Sequence, residues 1–158
     1  MAGTNEMGSV EGQLVGLPLA GPETFSVQQL AYLKRALGLD ETDLISSSKE
    51  CSSGATFQLS ESIANFERVK IYCARNPSAN SNVCNEVLVG SAYYYIQASF
   101  VDGSSLLIDT AQLTISGTTV TVNAIARKTL AATTLTTSTN APMTITKIVG
   151  VHRIAGGN

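Results

Sequence analysis

The chain has 158 residues, of which 44% are hydrophobic and only 14% are charged. This length suits one domain with a substantial core and is too short for two domains of ordinary size. The charged fraction is well below the roughly 25% typical of soluble domains. Because the centres of protein interfaces are depleted of charge, we expect part of the surface to be covered in an oligomer; a weakly charged monomer is the alternative.

The net charge of −2 conceals an asymmetry between the two halves of the chain. Residues 1–67 carry nine acidic and three basic side chains, whereas residues 68–158 carry three acidic and seven basic ones. The densest basic pair of the second half, Arg127 and Lys128, is much less than the stripe that a phosphate backbone requires. The charge pattern therefore excludes nucleic acid as a partner.

The sequence has no pattern of a secreted or membrane-inserted chain. Residues 1–16 lack the charged start and apolar run of a signal peptide, and no stretch approaches the roughly 18 apolar residues of a membrane span. We expect synthesis in the cytoplasm without a signal peptide, and no membrane insertion.

The cysteines and the single histidine do not predict a metal site. Cys51, Cys73, Cys84 and His152 lack the spacing of metal ligands, so we predict neither a metal nor a cofactor. Cys73 lies in an apolar alternation and is expected to be a buried free thiol. A Cys73–Cys84 bridge is the alternative in an oxidising environment.

Residues 1–24 are rich in Gly, Pro and other small residues and show no sustained period. They predict an extended anchoring arm that lies in a partner's groove through Leu14, Val15, Leu17 and Leu19. A flexible terminus is an equally good interpretation of this composition.

Residues 25–45 predict one short helix followed by a linker. Ser26 has the chemistry of an N-cap, and Gly38 is placed to end the helix. Between them the apolar residues recur at intervals of three and four: Val27, Leu30, Ala31 and Leu37. A helix of about three turns is too short to be stable alone, so it should pack on the domain or on copies of itself.

Residues 46–158 predict short strands at regular spacing. Residues 69–74 alternate between apolar and polar or small side chains, and residues 91–103 form an aromatic and β-branched run closed by a turn. Residues 113–122 predict a hairpin around Ser116 and Gly117. In the last strand Met143, Ile145, Lys147, Val149 and Val151 share one parity, and Ile148 interrupts the other, which predicts a strand with one face mostly buried. The fold class is therefore mainly β, an antiparallel β-sandwich or jelly-roll-like domain.

Two segments carry a resemblance to a known group of proteins. Residues 55–74, ATFQLSESIANFERVKIYCA, and residues 143–151, MTITKIVGV, resemble the start and finish of a domain found in fibre and other minor structural proteins of bacteriophages. Their order and spacing are similar across residues 55–151. In this string Ser60, Glu61 and Ser62 form a turn signal, and Phe66 is placed to anchor the turn to the core.

The resemblance implies a virion structural protein, a fibre or a capsid-decorating subunit found in the phage particle. Fibres of this kind are usually homotrimers that are fixed by the N-terminal part and point a β-domain outward. The implied partners are further copies of the chain and capsid or other virion proteins. The segment after Val151 and the arm and helix lie outside the similarity, which leaves attachment to head or tail open.

No residue pattern predicts catalysis, and we expect that the protein is not an enzyme. The acid pairs Glu61 with Glu67 and Asp102 with Asp109 are the only candidates for a glycosidase-like carboxylate pair. Turn or solvent-facing positions are the expected interpretation of all four. His152, beside Arg153, is expected to be a surface histidine and not a general base.

The triplet Tyr93, Tyr94 and Tyr95 is the candidate contact site. Alternation places Tyr94 on the opposite face of a strand from the other two, so one face is expected to be core while the other stacks on a glycan of the host surface. Packing within a sheet or at a trimer contact is the alternative. If the triplet binds glycans in a monomer, the chain is instead a stand-alone carbohydrate-binding module.

Overall fold

A computed structural model describes residues 26–37, 39–75, 82–140 and 143–154. The chain divides into two compact units, Met1–Asp40 and Glu41–Asn158. The predicted anchoring residues Leu14, Val15, Leu17 and Leu19 lie outside the described residues.

The first unit contains the predicted helix, α1 (Val27–Ala36). Ser26 caps it reciprocally, since its Oγ accepts from the backbone N–H of Gln29 at 3.2 Å and its own N–H donates to Gln29 Oε1 at 2.9 Å. This capping box satisfies two N–H groups that have no partner inside the helix. The predicted helix start is confirmed, and the helix ends at Ala36 with Leu37 as its C-cap. The helix is not long and apolar enough to cross a membrane, and the described residues hold no other α-helix.

The second unit is built from antiparallel strands and one 3-10 turn (Ile63–Asn65). The described strands are β1 (Glu41–Asp43), β2 (Lys49–Cys51), β3 (Thr56–Gln58), β4 (Phe66–Ala74), β5 (Val83–Leu88), β6 (Tyr94–Asp102), β7 (Ser105–Ser116), β8 (Thr119–Ala131), β9 (Thr134–Ser138) and β10 (Met143–Arg153).

The strands form two sheets, which confirms the predicted mainly β antiparallel sandwich. The first sheet has the order β1-β10-β4-β5, with β2 on the other end of β10, and the second has the order β3-β8-β7-β6, with β9 on the other end of β8. Every pairing is antiparallel. In each sheet, one long strand thus pairs with two short strands along the same edge.

Both sheets contribute alternate side chains to one core. The first sheet supplies Val69, Ile71, Cys73, Met143, Ile145 and Ile148, and the second supplies Tyr94, Ile96, Ala98, Ala111, Leu113, Val120 and Val122. The predicted hairpin is formed by β7 and β8, with Gly117 at a φ of +58° in the turn. A positive φ is a conformation that glycine adopts without steric cost.

The alternation of the last strand changes after Ile145: Val149 and Val151 are buried as predicted, but Lys147 is not. The β10–β4 register shifts between Ile145 and Lys147, so Ile148 faces the core cluster and Lys147 is exposed. After this bulge Gly150 lies under the ring of Phe66, and a Cβ atom at Gly150 would be 2.6 Å from three ring carbons. The bulge therefore brings glycine to the point where the core aromatic residue approaches the strand most closely.

The short strand β1 lies within residues 25–45, where the sequence predicted a helix and a linker, and β2 lies just beyond them. β1 pairs with residues 149–151 and β2 with residues 143–145 of β10. Leu44, which follows β1, is fully buried. The β-domain thus begins at Glu41, ahead of residue 46, where the sequence patterns placed its start.

Candidate interaction surface

The outer face of the second sheet is the side that points away from the core. Cross-strand partners share a face of an antiparallel sheet, so the register defines this face directly. Its outward residues on the four strands β6 to β9 are Tyr95, Gln97, Ser99, Val101, Leu106, Ile108, Thr110, Gln112, Thr114, Ser116, Thr119, Thr121, Ala124, Ala126, Lys128, Leu130, Leu135 and Thr137. Of these, only Lys128 is charged.

The tyrosine triplet is divided between core and solvent, as alternation predicts. Tyr94 is 2% exposed and packs in the core, while Tyr93 and Tyr95 are 51% and 66% exposed. The hydroxyl of Tyr94 accepts a hydrogen bond from the N–H of Gly90 at 3.2 Å, which satisfies its polar end. Tyr95 is therefore the member of the triplet that lies on the outer face.

A shallow cavity of about 330 Å³ opens beside Tyr95. It is lined by Asn85, Tyr95, Ile96, Gln97 and Thr110. The Tyr95 hydroxyl accepts from Gln112 Nε2 at 2.8 Å, which orients the ring along the sheet. An aromatic ring beside amide and hydroxyl groups is the chemistry that stacks on a sugar ring and bonds its hydroxyls.

Part of the polar lining is already used within the domain. The Asn85 side chain bonds the backbone of Gln97, and the Thr110 hydroxyl donates to the carbonyl of Ala126 at 3.3 Å. The Gln97 side chain and the Tyr95 ring are exposed to solvent. The cavity therefore offers one stacking surface and few polar contacts for a ligand.

The four acids considered as carboxylate pairs each contact a basic side chain. Arg153 bonds both carboxylate oxygens of Glu61, at 2.8 and 2.6 Å. These bonds and that of Asn65 hold the pKa of Glu61 below its usual value. Asp102 accepts from Arg75 at 2.9 Å. Such contacts fit structural ion pairs.

The positions of Asp109 and His152 differ from those that the sequence predicted. Asp109 is fully buried, and the expected turn or solvent-facing position is wrong for it. Arg127 Nε and Nη2 donate to its two oxygens at 2.6 Å each. His152 is only partly exposed, with Nδ1 3.1 Å from Arg68 Nη2 and 3.4 Å from Glu67 Oε2, so it is not a free surface histidine.

The buried ion pair belongs to a larger cluster at one end of the core. The guanidinium carbons of Arg75 and Arg127 lie 5.0 and 5.6 Å from the ring centre of Phe100. Arg75 directly follows β4 of the first sheet, and Phe100 lies on β6 of the second. Cation–π contacts and charged hydrogen bonds thus join the two sheets where apolar packing ends.

All three cysteines are free thiols, so the Cys73–Cys84 bridge is not formed. Cys73 is buried, as predicted, whereas Cys84 pairs with Tyr72 and faces solvent. Burial raises the pKa of the Cys51 thiol to about 12 and that of Cys73 to about 11. Within the described residues, no group of three His, Cys, Asp or Glu side chains could hold a metal ion.

No protein-family model matches the chain, and no curated protein is found to match it.

Sequence reasoning missed the apolar part of the outer face, although a signal was present. Val101 and Leu106 lie at equal sequence distances from the turn at residues 103–104. Leu130 and Leu135 likewise lie at equal sequence distances from the turn at residues 132–133. Symmetric positions around a tight turn become cross-strand partners, as these two pairs do. Asn85 gave no such signal, because its partner lies on a different sheet.

Proposed function

We propose that the chain is a structural protein of a bacteriophage virion, a homotrimeric fibre or capsid-decorating subunit. In this proposal residues 1–24 anchor it to capsid or other virion proteins. The β-domain is displayed for adhesion to the host surface or for stabilisation of the particle. Its role is assembly and binding, without catalysis.

The observation that carries this proposal is the outer face of the second sheet. It is almost uncharged and holds several large apolar side chains that one copy of the chain leaves open to solvent. The centres of subunit interfaces have this composition. A self-associating particle protein accounts for the face, whereas a soluble monomer leaves it unexplained.

A second support comes from the two segments that resemble phage fibre domains. Residues 55–74 end in β4, and residues 143–151 make up most of β10. These strands are direct neighbours over most of their length, from the Thr144–Ala74 pair to the Arg153–Phe66 pair. The resemblance therefore includes the β4–β10 pair in the middle of the first sheet, together with β3 of the second sheet.

Light scattering of the purified full chain at low and high salt tests the homotrimer. We expect a mass near three times 16.5 kDa at both salt concentrations, because apolar contacts are not screened by ions. A monomeric mass would contradict the homotrimer. Mass spectrometry of purified particles of the phage that encodes the chain tests the virion assignment, and absence of its peptides would contradict it.

The cavity beside Tyr95 favours one alternative, a carbohydrate-binding module. This hypothesis requires a monomer whose affinity for a glycan depends on the exposed Tyr95 ring. Screening of the full chain on a glycan array, with Tyr95→Ala and Tyr93→Ala as variants, separates the alternatives. Glycan binding by a monomer that only Tyr95→Ala removes would favour the module.

A further inference from the structure

The end of the second sheet carries an apolar row that one subunit does not cover. The apolar row consists of four successive cross-strand partners, one from each of β6, β7, β8 and β9: Val101, Leu106, Leu130 and Leu135. Their exposed fractions are 73, 39, 43 and 63% in that order. Scattered exposed apolar residues are ordinary, but four adjacent ones on one sheet face mark an interaction surface.

We propose that further copies of this chain cover the apolar row, which is then the homomeric contact of the β-domain. This inference rests on the proposed function, because it assigns the surface through which the proposed trimer assembles. In a cyclic trimer, residues beside the axis contact their own equivalents in the other copies. One apolar row from each subunit can therefore meet around such an axis.

The charges of the two sheets favour a copy of this chain as the occupant. On the outer face of the second sheet Lys128 is the only charge, and its Nζ donates to Thr137 Oγ1 of the same chain at 2.8 Å. A copy presents the same charges, so self-contact requires a face with few of them. A phosphate backbone or an anionic membrane would instead need a cluster of basic residues, which this face lacks.

The first sheet provides the contrast within the same domain. Its strands carry exposed ion pairs, which are Lys70 with Glu41, Lys147 with Asp43 and Arg68 with Glu86. These charges are satisfied inside the subunit and keep that sheet hydrated. The domain thus separates a charged sheet surface from a nearly uncharged one.

The edge of the second sheet beside the apolar row is also open. Among the described strands β9 pairs with β8 alone, and its five residues are all exposed. Its sequence, TLTTS, contains neither charge nor proline, which are common devices against pairing of sheet edges. Because Leu135 lies on β9, a copy that covers the apolar row also meets this unpaired edge.

The apolar row contributes little to the core of its own subunit. None of its four residues belongs to the buried cluster. A substitution there should therefore change assembly while the β-domain still folds. A loss of assembly in such a variant can therefore be distinguished from a loss of folding stability.

Two exposed leucines provide a matched pair of variants. Leu135 on β9 is 63% exposed and Leu88 on β5 of the first sheet is 68% exposed. We expect Leu135→Glu to lower the mass of the full chain in light scattering from three times 16.5 kDa to 16.5 kDa. Leu88→Glu adds the same charge and should keep the assembled mass, while circular dichroism shows all three chains folded. The double variant L106S/L130S provides a second test without added charge.

The outcomes distinguish this contact from the proposed function. If the native chain is a trimer and both Leu135→Glu and L106S/L130S remain trimers, the apolar row is not the contact, and the proposed function stands. A native dimer that Leu135→Glu dissociates supports the contact and contradicts the homotrimer. A native monomer overturns both. Dissociation by Leu88→Glu to the same extent overturns the assignment to the apolar row.

A photoreactive residue identifies the occupant directly. Benzoylphenylalanine in place of Leu135 of the full chain should cross-link to residues 99–138 of a second copy. Peptide mass spectrometry reads the linked segment. Cross-links to residues 1–24 would show that the arm covers the apolar row and would overturn the proposed contact between β-domains.

Discussion

The side-chain amide of Asn85 pairs with the backbone of Gln97 in the manner of a neighbouring strand. Its Oδ1 accepts from the Gln97 N–H at 2.9 Å, and its Nδ2 donates to the Gln97 carbonyl at 3.1 Å. Asn85 belongs to β5 and Gln97 to β6, which are edge strands of different sheets. The hydrogen bonds of this one side chain thus connect the two sheets along one side of the sandwich.

Replacing Asn85 should weaken the domain. Asn85→Leu keeps a similar volume but removes both bonds to Gln97, and we expect a loss of about 1–3 kcal/mol in the free energy of unfolding. Urea denaturation followed by circular dichroism measures it. Asn85→Asp keeps the acceptor but sets a carboxylate oxygen against the Gln97 carbonyl, so it should not preserve the stability of the native chain. Equal midpoints for the native chain and Asn85→Leu would contradict a structural role for this bond pair.

Removing one partner of the Asp109–Arg127 pair should destabilise the domain strongly, whereas replacing both partners should destabilise it little. Arg127→Met leaves a fully buried carboxylate without its bidentate partner, and we expect a loss of about 3–5 kcal/mol. The double variant D109L/R127M replaces both charges with apolar groups and should recover most of that loss. Chemical denaturation of the three variants provides the comparison. A double variant as unstable as Arg127→Met would show that packing, and not the unpaired charge, causes the loss.

Gly150 should not tolerate a methyl group. Gly150→Ala places a Cβ within 2.6 Å of the Phe66 ring, so the ring must move. We expect a loss of about 1–3 kcal/mol, as for other overpacked cores, seen as a lower thermal midpoint. In a Phe66→Leu background the added cost of Gly150→Ala should shrink, because the overlapping ring is absent. Strict additivity of the two changes would exclude this overlap as the cause.

The three thiols should differ in reactivity. Cys51 and Cys73 are buried, and burial raises their pKa values to about 12 and about 11, so neither provides thiolate near pH 8. A disulfide reagent should modify only the exposed Cys84 in the native protein and all three thiols in denaturant. Cys84→Ser should abolish the native reaction. Rapid labelling of a second thiol without unfolding would contradict the described burial.

The ion pair of Glu61 with Arg153 should make stability depend on acid pH. Because Arg153 lowers the folded-state pKa of Glu61, the unfolded chain binds this proton more readily. The stabilisation is therefore complete above the ordinary glutamate pKa and is lost as the pH falls through the lowered value. Denaturation midpoints of the native chain and Glu61→Gln should converge in acid. A constant difference between them down to acid pH would exclude this linkage.

Local patterns predicted those elements whose signals lie close together in the chain. Ser26 and Gln29 are three residues apart, and they form the capping box at the start of α1. The β7–β8 hairpin follows from alternation on both sides of Gly117. The division of the tyrosines, with Tyr94 in the core, follows from the same period of two.

Strands without alternation were not predictable in this way. β1 reads Glu-Thr-Asp and pairs with β10 more than 100 residues later, and its carboxylates face lysines of β4 and β10. A short edge strand held by ion pairs has no apolar period to detect. Asp109 was misplaced for a related reason, since only the register of β7 with β8 brings Arg127 to its side.

The amino-acid sequence by itself determined the helix cap, the turns and the strand alternation, and through them a mainly β domain after one short helix. These features depend on interactions between residues a few positions apart. Only the tertiary structure decided that Asn85 joins the two sheets, that Asp109 is buried against Arg127, and that four apolar side chains form one row. Each of these depends on which strands become neighbours, and that choice is made by packing between distant segments of the chain.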